Sequence, residues 1–175
     1  ISSELQKLKP GKILFPADGE GRNSVFAAKN NWNVFAFDYS EKAREKALKL
    51  AQKNQVEIDY KTSEFNDYKF ENESFDVIAL SFFHMPPEKR TAYHNKLIKM
   101  LKLGGRIILQ AFHKNQINYN TGGPKNIEML FNEAELNEDF SKLKTIELQS
   151  KIEHLEEGAF HKGKAFVINY IGEKK

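Results

Sequence analysis

Two acids and two glycines share one short turn, Asp18-Gly19-Glu20-Gly21, directly after the apolar run Ile13-Leu14-Phe15-Pro16-Ala17. Glycines there permit positive φ and let a ligand approach the main chain, and a segment with helical spacing follows (Val25, Phe26, Lys29) whose first N–H groups are free. A pyrophosphate would favour that positive helix end, but the carboxylates of Asp18 and Glu20 oppose an anion beside it. A cationic ligand suits them better. Ser24 stands where a dinucleotide fingerprint would place its third Gly or Ala, and the Lys-Ser/Thr pair of a P-loop is absent. A further acid, Asp38, closes a second apolar run at Phe37, and a carboxylate at a strand's C-terminal tip can accept both hydroxyls of a ribose.

The two corners together describe a site for a positively charged nucleoside. S-adenosylmethionine carries a ribose, a sulfonium and an α-amino group, and so meets both requirements. The histidines mark a second region. His84 follows the apolar run Phe75 to Phe82, and His161 lies between Glu157-Gly158 and Lys162-Gly163 in an otherwise strand-like stretch. Either can act as a base toward an oxygen or nitrogen nucleophile, whereas a softer nucleophile needs none. His113, Gln116 and Tyr119 belong to a loop rich in Asn, Gln and Gly that can cover such a site, with Tyr119 as a third catalytic candidate. His94 and His154 read as surface residues. No metal is expected, because the spacing of His84, His113 and His161 supports no particular coordination geometry.

The elements that must position these groups alternate. A short helix over residues 2 to 9 ends at Pro10-Gly11, and strand Lys12 to Phe15 leads through the glycine turn into a helix reaching Asn30. Strand Asn33 to Phe37 ends in Asp38-Tyr39-Ser40, where Ser40 suits the N-cap of a helix over Glu41 to Lys53. Val56 to Tyr60 alternates as a third strand, and Phe75 to Phe82 reads as a strand covered on both faces. Pro86-Pro87 opens a helix through Met100, Leu103-Gly104-Gly105 ends it, and Arg106 to Phe112 is the fifth strand. Strict alternation predicts a parallel sheet with helices on both faces and ligands at the strands' C-terminal ends. A short helical piece (Asn132 to Phe140) precedes two strand-like runs, Leu143 to Glu153 and Lys164 to Tyr170, whose short connection calls for an antiparallel hairpin on the sheet's edge.

Composition excludes other classes. The 175 residues suit one domain, 1–175, with too little chain for a separate substrate domain. With 27 basic and 24 acidic residues the net charge is +3, spread without the basic stripe that nucleic-acid binding needs. No apolar run is long enough to span a bilayer, and the absence of cysteine fits a reducing cytoplasm.

The order of these features resembles the class I S-adenosylmethionine-dependent methyltransferases: strand, Gly19-x-Gly21 turn, strand ending in Asp38, Ser63-Glu64-Phe65, Phe75-Asp76-Val77-Ile78 and Leu103-Gly104-Gly105. The stretches Gly19-Glu20-Gly21-Arg22-Asn23, His84-Met85-Pro86-Pro87, Tyr119 to Pro124 and Glu157 to Gly163 are similar to a small bacterial tellurite-resistance-like branch. One departure is Ala17-Asp18-Gly19 where that family usually has Gly-Cys-Gly. The resemblance implies a Rossmann-like three-layer sandwich around a mostly parallel seven-stranded sheet. It places Ala17, Asp18, Gly19, Gly21 and Asn23 along the methionine part, and Asp38 on the ribose. Tyr39 would pack on the adenine with Ser40 beside it, Glu64 and Phe65 would read its edge, and Ser81 would floor the site. A small-molecule or metalloid acceptor, with the protein a monomer or homodimer, completes the expectation. The alternatives are a regulatory or scaffold protein that binds cofactor without chemistry, and an NAD-dependent enzyme.

Overall fold

The computed structural model describes residues 1–156 and 162–175. The chain runs α1 (Ser2–Leu5), β1 (Lys12–Pro16), α2 (Arg22–Lys29), β2 (Asn33–Asp38), α3 (Glu41–Lys53), β3 (Asp59–Thr62), β4 (Phe75–Ser81), α4 (Pro87–Met100) and β5 (Leu101–Phe112). Short 3-10 turns at Lys114–Asn118 and Ile127–Met129 follow, then α5 (Glu133–Asp139), β6 (Leu143–Glu156) and β7 (Lys162–Lys174). All seven strands form one sheet in the order β3-β2-β1-β4-β5-β7-β6. The first five are parallel, and β7 pairs antiparallel with both β5 and β6. This is the Rossmann-like sandwich with the C-terminal hairpin. The hairpin folds back so that its second strand joins the sheet and its first becomes the edge.

The sheet is buried on both faces because its central strands are apolar on both faces, which parallel strands between helices require. On one face Leu14, Ile78, Leu80, Leu97, Ile107, Phe140 and Tyr170 pack in a single cluster with residues of α4 and α5. On the other, Ile13, Phe15, Ala36, Val77, Ala79 and Ile108 meet Ala27 of α2 and Ala47 of α3. Small residues on α2 and α3 let both helices lie close to the sheet.

Several boundaries differ from the sequence reading. The first helix is one turn only, and β3 begins at Asp59 rather than Val56. Gln55 takes a left-handed φ of 57° and the Val56 N–H donates to Ala51 O, so the residues after α3 are used in closing that helix. α4 ends at Met100 as expected, but β5 begins at Leu101 rather than Arg106. Leu101 already pairs with Phe75, and Gly104 (φ 73°) turns the chain before Arg106 rejoins β4 in a shifted register.

His94, expected on the surface, is fully buried. It stacks on Phe140 (centroids 4.4 Å apart), and its Nδ1 lies 3.1 Å from Asp139 Oδ2, tying α4 to α5. Arg90 Nε lies 2.8 Å from the same oxygen as an ionic contact whose N–H axis falls outside hydrogen-bond geometry. His154 is exposed, as expected. Removing one member of a buried ion pair strands the others. Asp139→Ala is therefore expected to lower stability by about 2–4 kcal/mol in urea unfolding. A loss below about 0.5 kcal/mol would show that the network contributes nothing net.

Candidate functional site

The parallel strands point their C-terminal ends to one edge, where β1 and β2 deliver the two corners anticipated from sequence. Asp38 ends β2 almost entirely buried. Its Oδ2 accepts the Gly19 N–H at 3.0 Å and its Oδ1 accepts the Ser40 N–H at 2.9 Å. One carboxylate thus ties the glycine turn to the start of α3. The Asp18 N–H donates to Phe37 O (3.2 Å) and the Ser63 N–H to Asp38 O (2.9 Å), which brings the loops after β1, β2 and β3 together. Tyr60 of β3 adds a hydroxyl that donates to Gly19 O at 2.6 Å. Sequence reasoning missed Tyr60. Its signal was an aromatic at an inward position near a strand's C-terminal end.

The two glycines do different work. A Cβ on Gly19 (φ 62°) would meet nothing within 4 Å, so its backbone faces open space. A Cβ on Gly21 (φ 82°) would stand 2.5 Å from Ala47 Cβ and 2.9 Å from its Cα. Gly21 therefore lets α2 start against α3, a packing role beyond the ligand contact expected of it. Ala17 adopts φ 51° without being glycine, a left-handed geometry that costs about 1–2 kcal/mol for an L-residue. Ser24 is fully buried and its hydroxyl donates to Gly21 O at 3.1 Å, closing the turn. Asn23 sits half-buried in the first turn of α2.

The acids of this turn are not equivalent. Glu20 is exposed and pairs with Lys46 of α3 at 2.5 Å, which lowers its pKa. Asp18 has both carboxylate oxygens buried, with no partner in hydrogen-bond geometry. Burial pushes its pKa up to about 7, offset in part by the nearby hydroxyl and amide of Ser24 and reinforced by Asp38. Burial, with Asp18 and Asp38 nearby, also raises the Tyr60 pKa, keeping that hydroxyl a donor.

Around the adenine side expected from sequence, Tyr39 is 73% exposed just beyond β2, and Ser40 caps α3 by accepting from the Ala43 N–H at 3.2 Å. Glu64 is exposed. Phe65 is buried in a stack with Tyr93 (3.9 Å, 13°). Lys96 of α4, a second group missed from sequence, donates to Phe65 O (2.7 Å) and Asn66 O (3.2 Å) and holds that turn in place. Ser81 ends β4 beside Gln110 of β5, and Phe82 then leaves the strand in a left-handed conformation (φ 50°).

Of the residues expected to do chemistry, His84 and Tyr119 lie among the described residues. Both ring nitrogens of His84 meet main chain: Nε2 accepts the Phe112 N–H at 3.2 Å, which puts the proton on Nδ1, 2.9 Å from Met129 O. The ring pins the segment after β4 to β5 and the following loop, a fastening role that leaves no lone pair for a substrate proton. Tyr119 is half-buried at the end of the first 3-10 turn, its ring 6.5 Å from Phe166. Thr121 Oγ1 donates to Lys164 O at 2.7 Å, so the loop carrying Tyr119 lies against the start of β7. Gln116 is buried and structural, accepting the Phe166 N–H at 2.7 Å. His161 lies outside the described residues. Among the described residues, no helix is long and apolar enough to cross a membrane.

A family model described as a methyltransferase domain matches residues 13–105, more than half of the chain, from the second residue of β1 into β5. The chain belongs to this family. It is 31% identical over 102 residues to demethylmenaquinone methyltransferase of Clavibacter sepedonicus, a match covering 58% of this chain and 41% of that protein. The chain thus spans under half the length of that curated relative. Among solved structures it is similar to TehB from Haemophilus influenzae (TM-score 0.79, 18% identity, 99% of this chain and 60% of that one). It is also similar to a protein from Methanosarcina mazei described as a SAM-dependent methyltransferase (TM-score 0.78, 19% identity, 97% and 95%). At these identities the structural likenesses establish the methyltransferase fold.

Two expectations follow from the turn. Gly21→Ala should cost about 2–4 kcal/mol in thermal or urea unfolding, since it combines a positive φ with overpacking, whereas Gly19→Ala should cost only about 1–2 kcal/mol. Equal losses would erase the distinction between the two glycines. The raised Asp18 pKa makes the folded state hold a proton that the unfolded chain has lost, so stability falls as pH rises from about 4 to about 7. Asp18→Asn removes this term and should gain about 2 kcal/mol more at pH ~8 than at pH ~5 in matched melts. A pH-independent difference would contradict the assignment.

Proposed function

We propose that this domain binds S-adenosylmethionine at the β1–β2 corner and transfers its methyl group to a small-molecule or metalloid acceptor. The observation that carries this reading is the Asp38 carboxylate, which draws the Gly19 turn and the α3 start into one corner beside open space. Each carboxylate oxygen has a second lone pair, so the ribose hydroxyls can be accepted without releasing either amide. Tyr39, exposed just past Asp38, offers an aromatic face for the adenine, and the Glu64–Phe65 turn its edge contacts. Gly19 leaves room for the methionine part, and the buried acid Asp18 before it in the turn favours a cation over a phosphate. The residues present fit the cofactor.

S-adenosylmethionine, when bound, supplies a sulfonium methyl that is already electrophilic. The protein's task is alignment of the acceptor behind that carbon and exclusion of water. Ser81 and the strained Phe82 at the end of β4 form the floor, and the loop bearing Tyr119 forms the cover. With His84 fastened to main chain, the acceptor is best supplied as an already ionised nucleophile, which suits a soft anion and the tellurite-resistance-like branch. A role for His161 as a base is retained only for oxygen or nitrogen acceptors. The enzyme is proposed to act as a monomer or homodimer in the cytoplasm, without nucleic-acid or membrane partners.

Calorimetric titration with S-adenosylmethionine tests the reading. Saturable binding is expected, and Asp38→Ala should weaken it by about 1–3 kcal/mol through loss of charged hydrogen bonds. No heat at millimolar cofactor would sink the proposal. Binding without methyl transfer to any acceptor in a cell-extract screen would favour a regulatory role instead.

A further inference from the structure

The Asp38 corner holds one acid that ligand contacts alone do not explain. Asp18 lies between Ala17 and Gly19, its own N–H bound to Phe37 O, and its two carboxylate oxygens are sealed from solvent, with the Ser24 hydroxyl and amide nearby but outside strict hydrogen-bond geometry. The charged and titratable groups facing it are Asp38 at the end of β2, Tyr60 on β3 and Arg22 at the start of α2. Glu20, farther along the turn, is already matched by Lys46 of α3. Asp18 is therefore an acid shut away from water and set beside a second acid. It sits in the very turn whose next residue presents open backbone toward the edge of the sheet. In such a place ionisation is unfavourable until positive charge arrives.

Resting on the cofactor reading above, we infer that Asp18 is a proton-coupled sensor of ligand charge. It holds a proton while the corner lacks a cation and releases it when a sulfonium-bearing methyl donor docks at Gly19. The step breaks only the Asp18 O–H bond. The proton passes to bulk buffer, no bond forms to the donor, and the donor's positive charge compensates the new carboxylate. Methyl transfer turns the sulfonium into a neutral thioether, so the compensating charge is lost and Asp18 takes a proton back. The product then lacks the stabilisation the donor had. A single buried acid in this way biases the site toward donor and assists product exchange. The raised pKa of about 7 places this titration in the physiological range.

By linkage, a group whose pKa falls on binding makes affinity rise with pH, from its bound-state pKa up to its free-state value. Titrations of the protein with S-adenosylmethionine and with S-adenosylhomocysteine, in phosphate and in Tris, test this. Donor affinity is expected to rise at least about threefold from pH ~6 to pH ~8, with the product within about twofold. Asp18→Asn, and Asp18→Ser as a second variant should the first not fold, should flatten the donor's rise. The ligand's own α-ammonium titrates in wild type and variant alike and cancels in that comparison. Parallel pH curves for donor and product, or a variant that keeps the donor-specific slope, would overturn the sensor while leaving the cofactor reading intact. Absence of binding by either ligand in the wild-type protein would overturn both.

Discussion

The geometry of this protein's edge depends on a carboxylate that satisfies two loop amides at once. Asp38 accepts from Gly19 and Ser40, and each charged hydrogen bond of this kind contributes about 1.5–3 kcal/mol when shielded from water. The loops it joins leave neighbouring parallel strands, and it acts there together with the Asp18 N–H to Phe37 O bond and the Glu20–Lys46 pair. Tyr60 reinforces the same turn from β3 through Gly19 O. Three successive strand ends thus converge on a few atoms, and the open backbone at Gly19 is their shared product.

That opening is maintained against cost. Ala17 takes a left-handed φ usually left to glycine, Asp18 is buried without a matched partner, and Phe82 departs from β4 with a positive φ. Unfavourable features of this kind persist where the surrounding structure over-determines them, and here they lie at the C-terminal ends of β1 and β4. The helix layer supplies the constraint: Gly21 and Ala47 let α2 and α3 close on each other, which fixes where the turn can go.

The region proposed to face the acceptor is built differently. Its fastenings are side chains clasping main chain, with His84 on Phe112 and Met129, Gln116 on Phe166, and Thr121 on Lys164. His113 joins them by accepting from Asn115 and standing 3.5 Å from Glu133, whose pKa is lowered chiefly by the Ser150 hydroxyl. His84, a base candidate from sequence, is thus occupied in holding main chain, while His113 and Gln116 shape the loop in which the sequence placed them.

The sequence by itself determined the alternation of strands and helices, the two corners at Gly19 and Asp38, and the C-terminal hairpin. Those depend on local periodicity, turn residues and short connections, which a linear reading can see. Tertiary structure alone decided that Gly21 serves packing and Gly19 openness, since the difference lies in Ala47, twenty-six residues on. It also decided that His94 is a core residue. Its ring meets Asp139 and Phe140 at the end of α5, and a buried imidazole is tolerated only where such a partner arrives. The tautomer of His84 was likewise out of reach, because the groups that set it, Phe112 N–H and Met129 O, come from segments that meet the ring only in the folded chain.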